Sequence, residues 1–104
     1  MEIEPVLKLF RSKVEKIYGK RLKGIVLYGS FARGQATQDS DIDLAMILEG
    51  KVATGREIDR LINVITDINF EYDVLLSIYP VSEEDYHSIN SPLLLNIRKE
   101  GVAA

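Results

Sequence analysis

The sequence lacks cysteine, so disulfides and thiolate-ligated metal sites are excluded. Long apolar runs are also missing. The longest, such as Gly24–Tyr28 and Leu44–Leu48, are only a handful of residues and far too short for a membrane-spanning helix. The segment Met1–Glu4 is acidic and shows neither the basic nor the apolar region of a secretory signal. We therefore expect a cytoplasmic protein without a membrane partner.

A surplus of basic residues is absent as well. The chain has 13 Lys and Arg against 16 Asp and Glu, for a formal net charge of −3. Because proteins that hold nucleic acid through its phosphates usually carry a basic stripe, direct binding of long nucleic acid is not expected. A nucleotide accompanied by metal ions is not excluded. The length of 104 residues and the 46% apolar content predict one soluble globular domain spanning residues 1–104.

Hydrophobic spacing and turn residues divide the chain into alternating helices and strands. The first half predicts a helix over 4–18, a strand over 23–28, a short helical turn at 30–33 and a strand over 41–48. The second half predicts an amphipathic helix over 56–69, a strand over 72–79 that ends at Pro80, a short helix from Ser82 and a last helix over 91–99. This order predicts an α/β (α+β) domain with a small sheet backed by helices.

A Gly-Ser pair follows the first predicted strand. Gly29 allows the backbone to approach a ligand closely, and Ser30 has a hydroxyl that can donate to a phosphate oxygen. Backbone N–H groups at the end of a strand and the start of a helix form an anion-binding site. On its own the pair is weak evidence, because most such pairs are simple turns.

Two aspartates at alternate positions strengthen the case for a phosphate site. Asp41 and Asp43 are predicted to lie on one side of the second strand, with Ile42 and Leu44 directed to the core. Two carboxylates so close repel each other unless a cation lies between them, and Mg²⁺ favours such oxygen ligands. The alternative is a pair of solvated aspartates at the start of a strand.

A third carboxylate would complete a metal site. Asp73 lies between Tyr72 and Val74 in the third predicted strand, where a charge must face either a metal or the core. Glu71 would share its face of the strand and is the competing choice. We favour Asp73.

These residues resemble a known signature. Gly29-Ser30, ten further residues and then Asp41-x-Asp43 are similar to the motif of the DNA polymerase beta-like nucleotidyltransferase superfamily. The strings Gly29–Gly34 and Asp39–Leu44 resemble its minimal nucleotidyltransferase (MNT) branch, the MntA-type antitoxins of HEPN/MNT toxin–antitoxin systems. The resemblance implies a nucleotidyltransferase fold with a small mixed β-sheet. It also implies metal ligation by Asp41, Asp43 and Asp73, with Gly29, Ser30 and Arg33 binding the triphosphate.

The same resemblance implies an activity. Two Mg²⁺ ions would act with ATP as substrate, and AMP would be transferred to a tyrosine of an HEPN ribonuclease toxin encoded nearby, which would neutralise the toxin. Asp73 would accept the proton of the attacking hydroxyl. Two alternatives stay open: a non-catalytic antitoxin that acts by binding the toxin, and a small-molecule nucleotidyltransferase of the aminoglycoside-modifying type.

Overall fold

A computed structural model describes residues 2–104, in which it shows four α-helices, one short 3₁₀ helix (Gly19–Arg21) and four strands. In chain order the α-helices and strands are α1 (Glu4–Tyr18), β1 (Leu22–Tyr28), β2 (Ile42–Leu48), α2 (Thr54–Tyr72), β3 (Leu76–Ser82), α3 (Glu83–Ser88), α4 (Pro92–Glu100) and β4 (Val102–Ala103). The expected α/β class with a small helix-backed sheet is confirmed. Within the described chain, no helix is both long enough and apolar enough to cross a bilayer.

The sheet is mixed, with strand order β3-β2-β1-β4. Strand β2 runs parallel to β3 and antiparallel to β1, and the short β4 pairs antiparallel to β1. Because β2 is paired on both sides and covered on both faces, every residue of it except Asp43 is buried. This accounts for its almost continuous apolar sequence.

The two faces of the sheet pack against different helices. Alternate residues of β2, beginning with Ile42, face α1 and α2 and form the larger core cluster with Val6, Phe10, Val14, Leu61 and Ile68. The intervening residues Ala45 and Ile47 pack against Leu94 and Ile97 of α4. By this alternation Asp43 lies on the α4 side of the sheet, away from the larger core.

Several local predictions are wrong. The segment Ser30–Arg33 forms hydrogen-bonded turns instead of a helix, and Gly34, at φ +73°, ends them. Helix α2 continues to Tyr72, so β3 begins only at Leu76 and Asp73 is not in a strand. Asp73 is instead the left-handed residue that ends α2, at φ +52°.

Asn69 explains why the helix continues past the predicted boundary. Its backbone carbonyl accepts the Asp73 N–H, and it also accepts the Val74 N–H at 3.2 Å. Its side-chain Oδ1 accepts the N–H of Leu76 at 2.9 Å. These bonds satisfy backbone N–H groups at the end of α2 and at the first residue of β3.

Pro80 does not end the third strand as predicted. It lies within β3, opposite Met46 of β2. Strand β3 is at the edge of the sheet and pairs only with β2, and an edge strand is where a sheet tolerates a proline. Strand β4, which the sequence did not predict, is only two residues long.

The junction between α4 and β4 depends on the absence of a side chain at Gly101. A Cβ there would collide with Val26 of β1 and with the carbonyl of Ile97. We expect Gly101→Ala to lower the free energy of unfolding by about 1–3 kcal/mol, as for other overpacked sites. Urea unfolding checks this, with Gly55→Ala in open space on α2 as the control that should lose nothing. Equal stability of the two variants would contradict the prediction.

Candidate active site

Asp43 lies in a row of three residues on adjacent strands. Across the sheet it is opposite Tyr28 of β1 on one side and Ser77 of β3 on the other. Residues at the same register direct their side chains to the same face, so the carboxylate lies between a phenol and a hydroxyl. The β1–β2 register also brings the turn after Tyr28 next to Asp43.

Gly29 begins that turn and lies against the Asp43 carboxylate. Its φ of +74° is one that residues with side chains rarely adopt. A Cβ on Gly29 would collide with Oδ2 of Asp43. Glycine is therefore required both for the backbone conformation and for the closeness of the carboxylate.

Asp41 precedes β2 and is exposed, so the predicted strand start one residue earlier is wrong. Its charge nevertheless reaches Asp43. The pKa of Asp43 is raised from 3.8, first by burial and then by the charges of Asp41 and Glu100. The Arg33 guanidinium and the Ser77 hydroxyl act in the opposite direction and lower it. The net effect is a pair of carboxylates whose negative charges are not fully balanced by nearby positive charge. Two such oxygen ligands fit a divalent cation.

Tyr28 and Ser77 were not singled out by the sequence. Burial raises the pKa of Tyr28 to about 12, with smaller contributions from Asp43 and Tyr79, so its hydroxyl stays protonated at neutral pH. No local motif marks either residue. Their places beside Asp43 follow from strand register, which sequence spacing did not supply.

The turn after β1 is closed by its own backbone. The N–H of Arg33 donates to the Gly29 carbonyl at 3.1 Å, and the N–H of Gln35 donates to the Ser30 carbonyl at 2.9 Å. This arrangement keeps Ser30 and Arg33 on the loop that borders Asp43. The predicted site residues Gly29, Ser30, Arg33 and Asp43 are therefore grouped at one end of β1 and β2, and Asp41 lies just before β2 at the same end.

Glu100 of α4 also reaches this loop. Its Oε1 accepts the Gly29 N–H at 3.2 Å, and its two carboxylate oxygens accept from Arg33 Nη1 at 3.2 and 3.3 Å. Sequence analysis missed Glu100, because 71 positions separate it from Gly29 and no motif joins them.

Asp73 is at the rim of the site. It lines a shallow depression of about 240 Å³ together with Asp41 and the neighbouring residues Gln38–Ser40 and Val74–Leu75. Among residues 2–104, no three acidic or histidine side chains lie close enough to hold one metal ion, so Asp73 does not form a cluster with Asp41 and Asp43. The competing residue, Glu71, lines a different depression with Leu9 and Lys13 of α1. The role of Asp73 as third carboxylate stays a prediction.

Comparison with known proteins identifies the family. The sequence model of a protein family described as "Nucleotidyltransferase domain" matches residues 7–96. The chain belongs to the nucleotidyltransferase domain family. In Methanocaldococcus jannaschii, "Putative protein adenylyltransferase MJ0604" is 33% identical over 102 residues, which are 97% of this chain and 96% of that protein. A second protein of that organism with the same description, MJ0141, is 32% identical over 77 residues, 74% of this chain and 77% of that one.

Solved structures agree on the fold of this nucleotidyltransferase. A crystal structure of a toxin-antitoxin with AMP-PNP matches with a TM-score of 0.65 at 19% identity, over 99% of this chain and 72% of that one. A mutant of the toxin-antitoxin MntA-HpeT matches with a TM-score of 0.64 at 21% identity, over 100% of this chain and 72% of that one. The expected nucleotidyltransferase fold and enzyme class are confirmed.

The raised pKa of Asp43 predicts a pH-dependent effect on stability. The folded protein binds the Asp43 proton more tightly than the unfolded chain, so stability is lost as pH rises from about 3.8 through the folded pKa. Asp43→Asn removes this loss. In EDTA at pH 7.5 the variant should therefore have a higher free energy of unfolding than the native protein, and the difference should shrink as pH approaches 3.8.

Urea unfolding at several pH values measures the difference. Asp59→Asn makes the same charge change at an exposed position of α2 and should show no such pH dependence. A less stable Asp43→Asn protein at pH 7.5 would show that the carboxylate stabilises the fold.

Proposed function

We propose that the chain transfers AMP from ATP to a hydroxyl of a partner protein. The observation that carries the proposal is the contact between the Asp43 carboxylate and the Gly29 turn, with Asp41 two residues before Asp43. It brings candidate metal ligands against the loop that carries the Ser30 hydroxyl and the Arg33 guanidinium. Phosphate recognition and metal ligation within a few residues of each other are what nucleotidyl transfer requires.

Asp41 and Asp43 would hold Mg²⁺. Their mutual repulsion and the raised pKa of Asp43 support this assignment, because a divalent cation relieves both. When bound, two Mg²⁺ ions would neutralise the phosphates and activate the attacking oxygen. The side chains and backbone of the protein would bind and orient the substrates.

The residues of the chain have separate roles in the proposed transfer. Ser30 and the backbone of its turn would orient the triphosphate, and Arg33 would contribute positive charge. The acceptor oxygen forms a bond to the α-phosphorus while the bond from that phosphorus to the bridging oxygen breaks, releasing pyrophosphate. The resemblance assigns the hydroxyl proton to Asp73, and its position beside Asp41 at the rim of the site supports that role.

A protein acceptor is supported by the surface beside the site. Phe70, in the last turn of α2, is 91% exposed, and Leu75, which lines the same depression as Asp41 and Asp73, is 55% exposed. Both apolar side chains are available for contact with a partner protein. The relatives named as adenylyltransferases and the matching toxin-antitoxin structures point the same way. We propose that the acceptor is a tyrosine of an HEPN-type toxin, as the motif resemblance implies.

A transfer assay tests this proposal. α-Labelled ATP, Mg²⁺ and the product of the neighbouring gene are incubated with the native protein or with the Asp41→Asn/Asp43→Asn variant. We expect labelled partner in whole AMP increments by intact-mass spectrometry, and a rate lower by on the order of a hundredfold or more with the variant. Omission of Mg²⁺ should have the same effect.

The matched control is Asp59→Asn/Asp67→Asn, which removes the same charge from exposed positions of α2 and should transfer AMP normally. If the partner gains no AMP but both active-site and control variants still neutralise it, the protein acts by binding alone. If label appears on a small molecule without any partner protein, the acceptor assignment is wrong.

A further inference from the structure

A carboxylate of the chain itself occupies the donors that the proposed function assigns to phosphate. Glu100 accepts the Gly29 N–H through Oε1 and pairs with the Arg33 guanidinium through both oxygens. A backbone amide at the start of a turn and an arginine fork are standard partners of a phosphate group. The Gly29 amide and the Arg33 guanidinium are therefore already paired with Glu100.

The position of Glu100 is unfavourable in two respects. It is the last residue of α4, where the helix dipole disfavours a negative charge. Its charge also acts on Asp43, adding to the burial and the Asp41 charge that disfavour an ionised Asp43. The Gly29 amide and Arg33 offset these repulsions. A carboxylate held in this way is readily exchanged for a stronger anion.

The surrounding structure fixes where Glu100 can reach. Leu94 and Ile97 anchor α4 on the sheet, and Gly101 lets the chain pass close against Val26 of β1 immediately after Glu100. The Glu100 side chain itself remains 25% exposed, and that of Arg33 is 44% exposed. The backbone is fixed while both side chains have solvent into which they can rotate.

We propose that Glu100 is an internal competitor for the nucleotide phosphates. In the nucleotide-free protein its carboxylate holds the Gly29 amide and Arg33. Binding of a triphosphate displaces it and takes over both donors. Glu100 thus lowers nucleotide affinity and keeps the loop ordered between turnovers. This inference rests on the proposed function, because it takes the Gly29–Arg33 loop as the triphosphate site.

Equilibrium binding of α,β-methylene ATP with Mg²⁺ tests the proposal, since nucleotidyl transfer cannot cleave that analogue. Calorimetric titration compares the native protein with Glu100→Gln and Glu100→Asp. The glutamine variant lacks the charge, and the aspartate variant keeps the charge but loses the reach to Gly29. We expect the dissociation constant to fall by roughly tenfold in Glu100→Gln and by a smaller factor in Glu100→Asp.

Glu15→Gln is the matched control. It removes a glutamate that pairs with Arg11 at 2.9 Å on α1, against the other face of the sheet, and should leave affinity unchanged. If only Glu100→Gln binds the analogue more tightly, the effect is due to charge, and competition for the two donors is wrong. Unchanged or weaker binding in both variants would also overturn it.

Failure of the proposed function gives a different result. If the native protein and every variant fail to bind the analogue, the loop is not a triphosphate site, and both proposals fall together. If the native protein binds it but the Glu100 variants bind no more tightly, only the competition is wrong. Thermal unfolding monitored by circular dichroism confirms that each variant is folded before titration.

Discussion

The candidate site depends on the contact between Gly29 and the carboxylate of Asp43. Gly29 can lie against Asp43 only because it has no side chain, and the β1–β2 register is what brings the two together. Every other part of the candidate site is arranged around this contact. Ser30 and Arg33 follow Gly29 on the same turn, Tyr28 and Ser77 lie on either side of Asp43, and Asp41 adds its charge from just before β2.

The mixed sheet separates the functions of its two faces. The face toward α1 and α2 carries the larger apolar cluster, and so it supplies most of the buried area that stabilises the fold. The face toward α4 has a smaller cluster and tolerates Asp43. A charged, half-buried group disfavours the folded state in the absence of a cation, and the larger cluster on the opposite face offsets this. Function and stability are thereby assigned to different sides of β2.

The sequence was sufficient for the parts of the fold that depend on local pattern. The α1 and α2 periodicity, the two apolar strands and the Gly29, Ser30, Asp41 and Asp43 motif all have short-range signals. Asp73 was misplaced because residues 72–79 resemble a strand in sequence. In the structure α2 continues to Tyr72 and ends at Asp73, which has a left-handed conformation, and Asn69 makes the hydrogen bonds at this helix end. Ser77, Tyr28 and Glu100 could not be found, since their proximity to Asp43 and Gly29 arises from strand register and helix packing across the chain.

Pro80 has a consequence for how this sheet can associate. Strand β3 forms one edge and contains Pro80, which has no backbone N–H to donate. The other edge, β4, is only two residues long. A proline on the edge strand β3 makes it harder for an extended segment of another chain to add there as a further strand. Joining of sheets between copies along β3 is therefore disfavoured.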